Sequence, residues 1–165
     1  QVEFVSVTGS DEARDYAQNA FKKSGVNAHL IVDESRPHTI KQKFRSKGKS
    51  LLRVNHLRQD AINSSLQDKI SNIIESVIQD VDLLVFSDFN YGCLPQLLVD
   101  KLIKLANANK VMLAADSQSS SQIGDISRYK NMDLITPTER EARISSRNRI
   151  SLFLNRHLKT RNREV

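Results

Sequence analysis

The stretch Val81-Asp82-Leu83-Leu84-Val85-Phe86-Ser87-Asp88-Phe89-Asn90-Tyr91-Gly92-Cys93-Leu94-Pro95 sets the architecture of this chain. Its apolar run, Leu83 to Phe86 with Val81 just before, has strand length and almost no polar interruption. Such a run predicts a strand buried on both faces, as strands of parallel sheets are. Pro95 suits the first turn of a helix, where its missing N–H leaves no bond unmade. Asp88 and Asn90 therefore fall just past the C-terminal end of a central strand. In open α/β sheets ligands bind in the crevice outside those ends.

Downstream, Pro95–Asn109 carries Leu98, Leu102, Leu105 and Ala106 at helical spacing, and Val111–Ala115 is another buried strand ending at Asp116. The polar run Ser117–Gln122 is expected to be a loop, Asp133–Thr136 a short strand, and Thr136-Pro137-Thr138-Glu139 a helix start. Upstream, Val2–Val7 is a strand closed by Thr8-Gly9, and Ser10-Asp11-Glu12 opens a helix with its acids at the positive end of the dipole. Ala13, Tyr16, Ala17, Ala20 and Phe21 form its apolar face, Gly25 closes it, and Val26–Val32 follows as a strand. Ile62–Ile78 reads as a long helix with Leu66, Ile70, Ile73, Ile74 and Val77 on one stripe. Repeated strand-then-helix units predict an α/β fold with a mainly parallel sheet and helices on both faces.

Residues 36–55 break that rhythm. Ile40, Gln42 and Phe44 alternate with Lys41, Lys43 and Arg45, and Lys47-Gly48-Lys49 turns the chain back into Leu51–Asn55. A register placing Phe44 opposite Leu52 and Lys43 opposite Arg53 collects one apolar face (Ile40, Phe44, Leu52, Val54) and one cationic face (Lys41, Lys43, Arg45, Arg53). The cations either bind an anion or guard an edge against aggregation.

The 165 residues fit one domain with a real core, 27% charged, and no apolar run nears a membrane span of about 20 residues. A single cysteine, Cys93, excludes a disulfide scaffold. With no signal peptide ahead of Gln1, the expectation is a piece of a longer cytoplasmic protein. From Glu139 onward Arg140, Arg143, Arg147, Arg149, Arg156, Lys159, Arg161 and Arg163 face three acids, Glu139, Glu141 and Glu164, which places +5 of the net +6 there. Phe153 is the only aromatic in that segment, so a solvated helix or tail is expected and not a nucleic-acid surface.

Asp88, Asp116 and Thr138–Glu141 each follow a parallel strand, and such ends open onto one edge of the sheet. Two carboxylates beside a helix N-terminus can hold a hydrated divalent cation and phosphates; equally, each can simply cap a turn. Neither Gly-x-x-x-x-Gly-Lys-Ser/Thr nor Gly-x-Gly-x-x-Gly occurs, which removes the phosphate-loop and dinucleotide fingerprints. His29, His38, His56 and His157 lack metal spacing, with His38 and His56 expected at the surface, and Cys93 has no nearby histidine to activate it.

Four motifs carry a resemblance. Arg36-Pro37-His38-Thr39-Ile40-Lys41 followed by Leu51-Leu52-Arg53-Val54 is similar to an "RPTTxK…LLR" lid hairpin. Ser87-Asp88-Phe89-Asn90-Tyr91-Gly92 is similar to an "SDYxKG" turn. Ala115-Asp116-Ser117-Gln118 stands where "DPK" is expected, and Thr136-Pro137-Thr138-Glu139-Arg140-Glu141 where "TPNExE" is expected. In this order they resemble the PfkB (ribokinase-like) carbohydrate kinases, most closely the heptose 7-phosphate kinase domain of bifunctional ADP-heptose synthases. The resemblance covers residues 1–148 as the central part of such a domain, incomplete, with a lid hairpin at about 36–55 and a basic helix or tail at 149–165.

It implies ATP- and Mg²⁺-dependent phosphoryl transfer to a sugar or sugar phosphate. Lys41, Lys43, Arg53, Asp88 and Asn90 fall at substrate-binding positions, Asp116 and Thr138 at nucleotide-binding ones, and Glu141 on the glutamate that positions hydrated Mg²⁺. A homodimer through the lid is a further implication. The departures are Tyr91 and Gln118 in place of lysines, and Thr138 in place of asparagine. The Gly-Ala-Gly-Asp motif with the catalytic aspartate and the sugar-receiving glycine pair are missing from these residues. No catalytic residue is therefore assigned, and the chain alone is expected to be inactive. The alternative is a non-catalytic binding or assembly module with the kinase fold.

Overall fold

Strand β1 (Val2–Thr8) pairs in parallel with β2 (Val26–Val32), from Val2 opposite Val26 to Thr8 opposite Val32. Helix α1 (Glu12–Lys23) connects them, with Glu12 and Asp15 in its first turn and Lys22 and Lys23 in its last, each sign matched to the dipole. Gly25 lies just past the Ser24 cap at φ +69, the left-handed exit that glycine permits. The helix is rotated from its expected phase. Ala13, Arg14, Ala17 and Phe21 are half-buried while Tyr16 is 79% exposed, because the inward phase is set by Phe21 stacking on Phe4 of β1 at 4.5 Å between centroids.

These elements belong to a computed structural model that describes residues 1–118 and 125–146. It divides into two units: Gln1–Asp80 with Tyr91–Leu105, and Val81–Asn90 with the described residues from Ala106 onward. The expected loop beyond residue 118 and the basic segment 149–165 lie outside the described residues.

The first unit also holds the hairpin of β3 (Ile40–Ser46) and β4 (Lys49–His56). Lys47 (φ +47) and Gly48 (φ +79) make its turn, two left-handed residues as a type I′ hairpin requires. A bulge between Phe44 and Arg45 absorbs one residue, so Phe44 still faces Leu52 and Lys43 still faces Arg53. Helix α2 (Ser64–Val77) starts two residues later than the apolar stripe implied. Asn63 is its cap, its side chain accepting from the Leu66 N–H at 3.0 Å, and Ile62 stays outside with its N–H donated to the Gly92 carbonyl. Leu66, Ile70 and Ile74 are buried and the helix lies against β1 and β2. Helix α3 (Gln96–Ala108) follows Pro95, whose carbonyl accepts from the Val99 N–H, and buries Leu98, Val99, Leu102 and Ile103.

In the second unit β5 (Leu83–Asp88), β6 (Met112–Ser117) and β7 (Leu134–Ile135) form a parallel sheet in that order, and helix α4 covers 139–146. The expected α/β fold with parallel strands and helices is present, and its detail differs from the expectation in one respect for the ladders and one for β5. The parallel strands fall into two ladders, β1–β2 and β5–β6–β7. And β5 is buried on one face only: Phe86, Leu113 and Ala115 are buried, whereas Leu83, Val85, Met112 and Leu134, which share the opposite face by register, are 46–58% exposed. Ala114, between Val85 and Leu134 on that face, is 7% exposed. An uninterrupted apolar run shows that both faces are hydrophobic, not that both are covered. Among the described residues no helix is long and apolar enough to cross a membrane.

Candidate functional site

Because β5, β6 and β7 are parallel, their C-terminal ends share one edge. Asp88 stands opposite Ser117, Asp116 opposite Ser87, and Thr136 directly follows β7. Asp88 is 4% exposed and fully engaged. Tyr129 Oη donates to its Oδ2 at 2.8 Å, Arg128 Nη1 reaches the same oxygen at 3.1 Å, and the Asn90 N–H donates to Oδ1 at 2.8 Å. A buried carboxylate is tolerable only with such partners. Asn90 sits at φ +59, and its side-chain amide donates to Ser117 Oγ (3.4 Å) and the Gln118 carbonyl (3.0 Å). The end of β5 is thus tied both to β6 and to the 3-10 turn Ile126–Arg128 with Tyr129 behind it.

Asp116 is half-buried, accepting from Thr136 Oγ1 at 3.2 Å and Gln118 Nε2 at 3.3 Å. Thr138 and Glu141 close the N-terminus of α4 reciprocally. Glu141 Oε2 accepts from the Thr138 N–H (2.8 Å) and hydroxyl (2.7 Å), and the Glu141 N–H donates back to Thr138 Oγ1 at 3.4 Å. This is a capping box, and Thr138 fills the cap as an asparagine would. Among the described residues no three His, Cys, Asp or Glu side chains form a ligand set for a bare metal ion. Glu141 is 7% exposed with Oε2 accepting both Thr138 bonds, while Asp116 is half-buried.

The other predicted residues lie in the first unit. On the hairpin Lys43 pairs with Arg53 and Lys41 with Asn55, which places three cations on one face, and Lys41 Nζ lies 5.0 Å from the centroid of the Tyr91 ring. Arg36 ties the hairpin roots down: its Nε donates to Asp33 Oδ2 at 2.7 Å, Nη2 to the Asp60 carbonyl at 3.1 Å, and Nη1 reaches the Tyr91 carbonyl at 3.5 Å. Gly92, at φ +79, lets the Asp60 backbone pass so closely that a Cβ there would lie 2.0 Å from its carbonyl oxygen. His38 is not the surface residue expected. Its ring is 19% exposed, with Nδ1 2.5 Å from Asp11 and Nε2 2.6 Å from the Thr8 hydroxyl, while its N–H donates to Asp11 at 2.9 Å. His56 is exposed, as expected.

Three carboxyls here are held below their ordinary range. For Asp11 the main cause is the His38 N–H, aided by the His38 ring. For Asp33 it is the Ser35 hydroxyl, then the Ser35 N–H and Arg36, all working against burial. For Asp60 it is its own backbone N–H, then Arg58 and Arg36.

The structure places Asp88, Asn90, Asp116, Thr138 and Glu141 in one unit and Lys41, Lys43 and Arg53 in the other. Sequence reasoning missed Tyr129 and Arg128, which carry no motif. It quoted Arg36 and His38 without giving either a role. Thr8 is the last residue of β1 and Asp11 stands just past it, and both bond to His38.

A family model described as "pfkB family carbohydrate kinase" matches residues 1–160. The chain is 28% identical over 142 residues to the bifunctional protein HldE of Helicobacter pylori strain ATCC 700392 / 26695, covering 86% of this chain and 30% of that protein. To the bifunctional protein HldE of Helicobacter hepaticus it is 29% identical over 147 residues, covering 88% and 30%. Among solved structures it is similar in fold to a carbohydrate kinase from Agrobacterium tumefaciens, with TM-score 0.68, 17% identity, and coverage of 87% of this chain and 46% of that one. For ribokinase from Giardia lamblia the TM-score is 0.62 at 16% identity, with coverage of 85% and 42%. The chain thus spans about a third of the curated relatives it matches and under half of the solved kinases.

Proposed function

The chain belongs to the pfkB family of carbohydrate kinases, and from that premise we propose that it supplies part of a site for ATP- and Mg²⁺-dependent phosphoryl transfer to a sugar or sugar phosphate. The observation that carries this is the shared edge of β5, β6 and β7, where Asp116, Thr136 and the Thr138–Glu141 box sit together. Phosphoryl transfer asks a protein mainly for positioning and charge neutralisation.

In this reading the amides at the start of α4 and the Asp116 side face the nucleotide, with Thr138 fixing the helix start. Mg²⁺, held through its waters by Glu141 and Asp116, would supply neutralisation of phosphate charge. Asp88 acts through Tyr129, Arg128 and Asn90, keeping the end of β5 in register with β6; its substrate-facing partner is Asn90. Lys41, Lys43 and Arg53 form the anion-binding face of the lid. Exposed Ile40, Phe44 and Leu52 support the lid as a surface for a second copy. An ATP-dependent enzyme of this kind is expected in the cytoplasm.

One observation favours the second reading, a binding or assembly module: Tyr91 and Gln118 stand where the resemblance places lysines, so two cations that would neutralise phosphate charge are lost. The test is ATP turnover with a panel of sugars and sugar phosphates, including heptose 7-phosphate, in the presence of Mg²⁺. The chain alone is expected to show none. Sugar-dependent turnover abolished by Asp88→Ala would overturn the assignment of Asp88 as a positioning group.

A further inference from the structure

The hairpin's cations are not all placed by the hairpin. Lys43 and Arg53 are ladder partners and hold each other's position through backbone pairing. Lys41, two residues back towards the root on the same face, extends to a different partner, the face of the half-buried Tyr91 ring. At 5.0 Å from the centroid, the ammonium is within the roughly 6 Å over which a ring quadrupole attracts a cation. Tyr91 is itself fixed: Arg36 reaches its carbonyl, and the next residue, Gly92, accepts the Ile62 N–H at 3.0 Å.

We propose that Tyr91 is a positioning residue for anion binding, holding the Lys41 ammonium over its ring so that Lys41, Lys43 and Arg53 form one preset row for a phosphate group. This rests on the reading of the hairpin as an anion-binding lid and adds the residue that aims it. A lysine alone must give up rotamer freedom each time it binds. A lysine already seated on an aromatic ring has given up most of that freedom beforehand. The ring costs the ammonium little hydration and leaves its charge in place, unlike a carboxylate partner, which would cancel it. Residues two apart on a strand stand about 6.6 Å from each other along it, close enough for Lys41 and Lys43 to share one phosphate. The ligand class is therefore a phosphate monoester or inorganic phosphate.

The test uses the whole chain with labelled lysines, titrated with inorganic phosphate and followed by NMR. The Lys41 ε-methylene should be shifted upfield by the ring in the wild type and in Tyr91→Phe, and should return to an ordinary position in Tyr91→Leu. Phosphate affinity should be unchanged in Tyr91→Phe and about two- to fivefold weaker in Tyr91→Leu, the factor a solvent-accessible cation–π contact is worth. Lys41→Gln should weaken binding at least as much, and adding Tyr91→Leu to it should change nothing more. An unshifted Lys41 in the wild type, or equal loss in Tyr91→Phe and Tyr91→Leu, overturns the role of the ring. Failure of the lid reading looks different: Lys43→Ala with Arg53→Ala would then leave phosphate binding intact. Absence of any phosphate effect at Lys41 in the wild type would overturn the proposal in either case.

Discussion

Replacing Gly92 by alanine tests whether the hairpin's exit segment is threaded against the turn that follows β5. The perturbation has three parts. An alanine at φ +79 is forced into the left-handed region, costing about 1–2 kcal/mol. Its Cβ would stand 2.0 Å from the Asp60 carbonyl oxygen and 2.7 Å from its carbon, both backbone atoms that no rotamer change can remove. Moving that segment is overpacking, worth about 1–3 kcal/mol, and it endangers the Ile62 N–H bond to the Gly92 carbonyl, about 1 kcal/mol more. The expected loss is about 3–6 kcal/mol, a large share of a domain's usual stability. Gly25→Ala is the control: φ is +69 there, but nothing lies within 4 Å of the added Cβ, so only the backbone cost of about 1–2 kcal/mol applies. Urea unfolding of the two variants, with exchange of the Ile62 amide followed in parallel, separates the effects. Equal destabilisation by the two substitutions would refute the close crossing.

Two further outcomes are expected. The depressed carboxyls of Asp11, Asp33 and Asp60 contribute stability that is fully present above the ordinary carboxylate value of about 4 and is lost as pH falls below it through their folded-state values. Urea midpoints should therefore hold steady down to about pH 4 and fall below it, with a shallower fall in Asp33→Asn. Thr138→Ala should destabilise the start of α4 by about 1 kcal/mol and speed exchange of the Glu141 amide, while Thr138→Ser should restore both.

Much of this was legible in the residues because local rules and tertiary structure agree. The alternation Ile40/Phe44 against Lys41/Lys43 admits one sensible register, and the bulge after Phe44 preserves it although the turn is a residue shorter than expected. Asp88, Asp116 and Thr138 were placed by a rule of topology that needs only the strands' direction. What escaped depends on contacts distant in sequence. The phase of α1 is decided by Phe4 pulling Phe21 inward, and periodicity alone cannot separate that from a face centred on Tyr16. The Tyr129 partner of Asp88 escaped because it lies 41 residues away with no motif to announce it. His38 looked like a surface residue because Asp11 and Thr8 reach it across 27 and 30 residues. Leu83 and Val85 looked buried because sequence reports what a surface prefers, not what covers it.

The assignment of the β5–β6–β7 edge as the nucleotide side of a carbohydrate kinase site is tested by titrating the chain with ATP and Mg²⁺ while recording backbone amide shifts. With the crevice only partly built, affinity in the region of about 1 mM is expected. The shifts should gather at residues 116–118 and 136–141, and Asp116→Asn and Thr138→Ala should each weaken them. Shifts of equal size spread over α1 or α2, or binding untouched by both substitutions, would contradict the account.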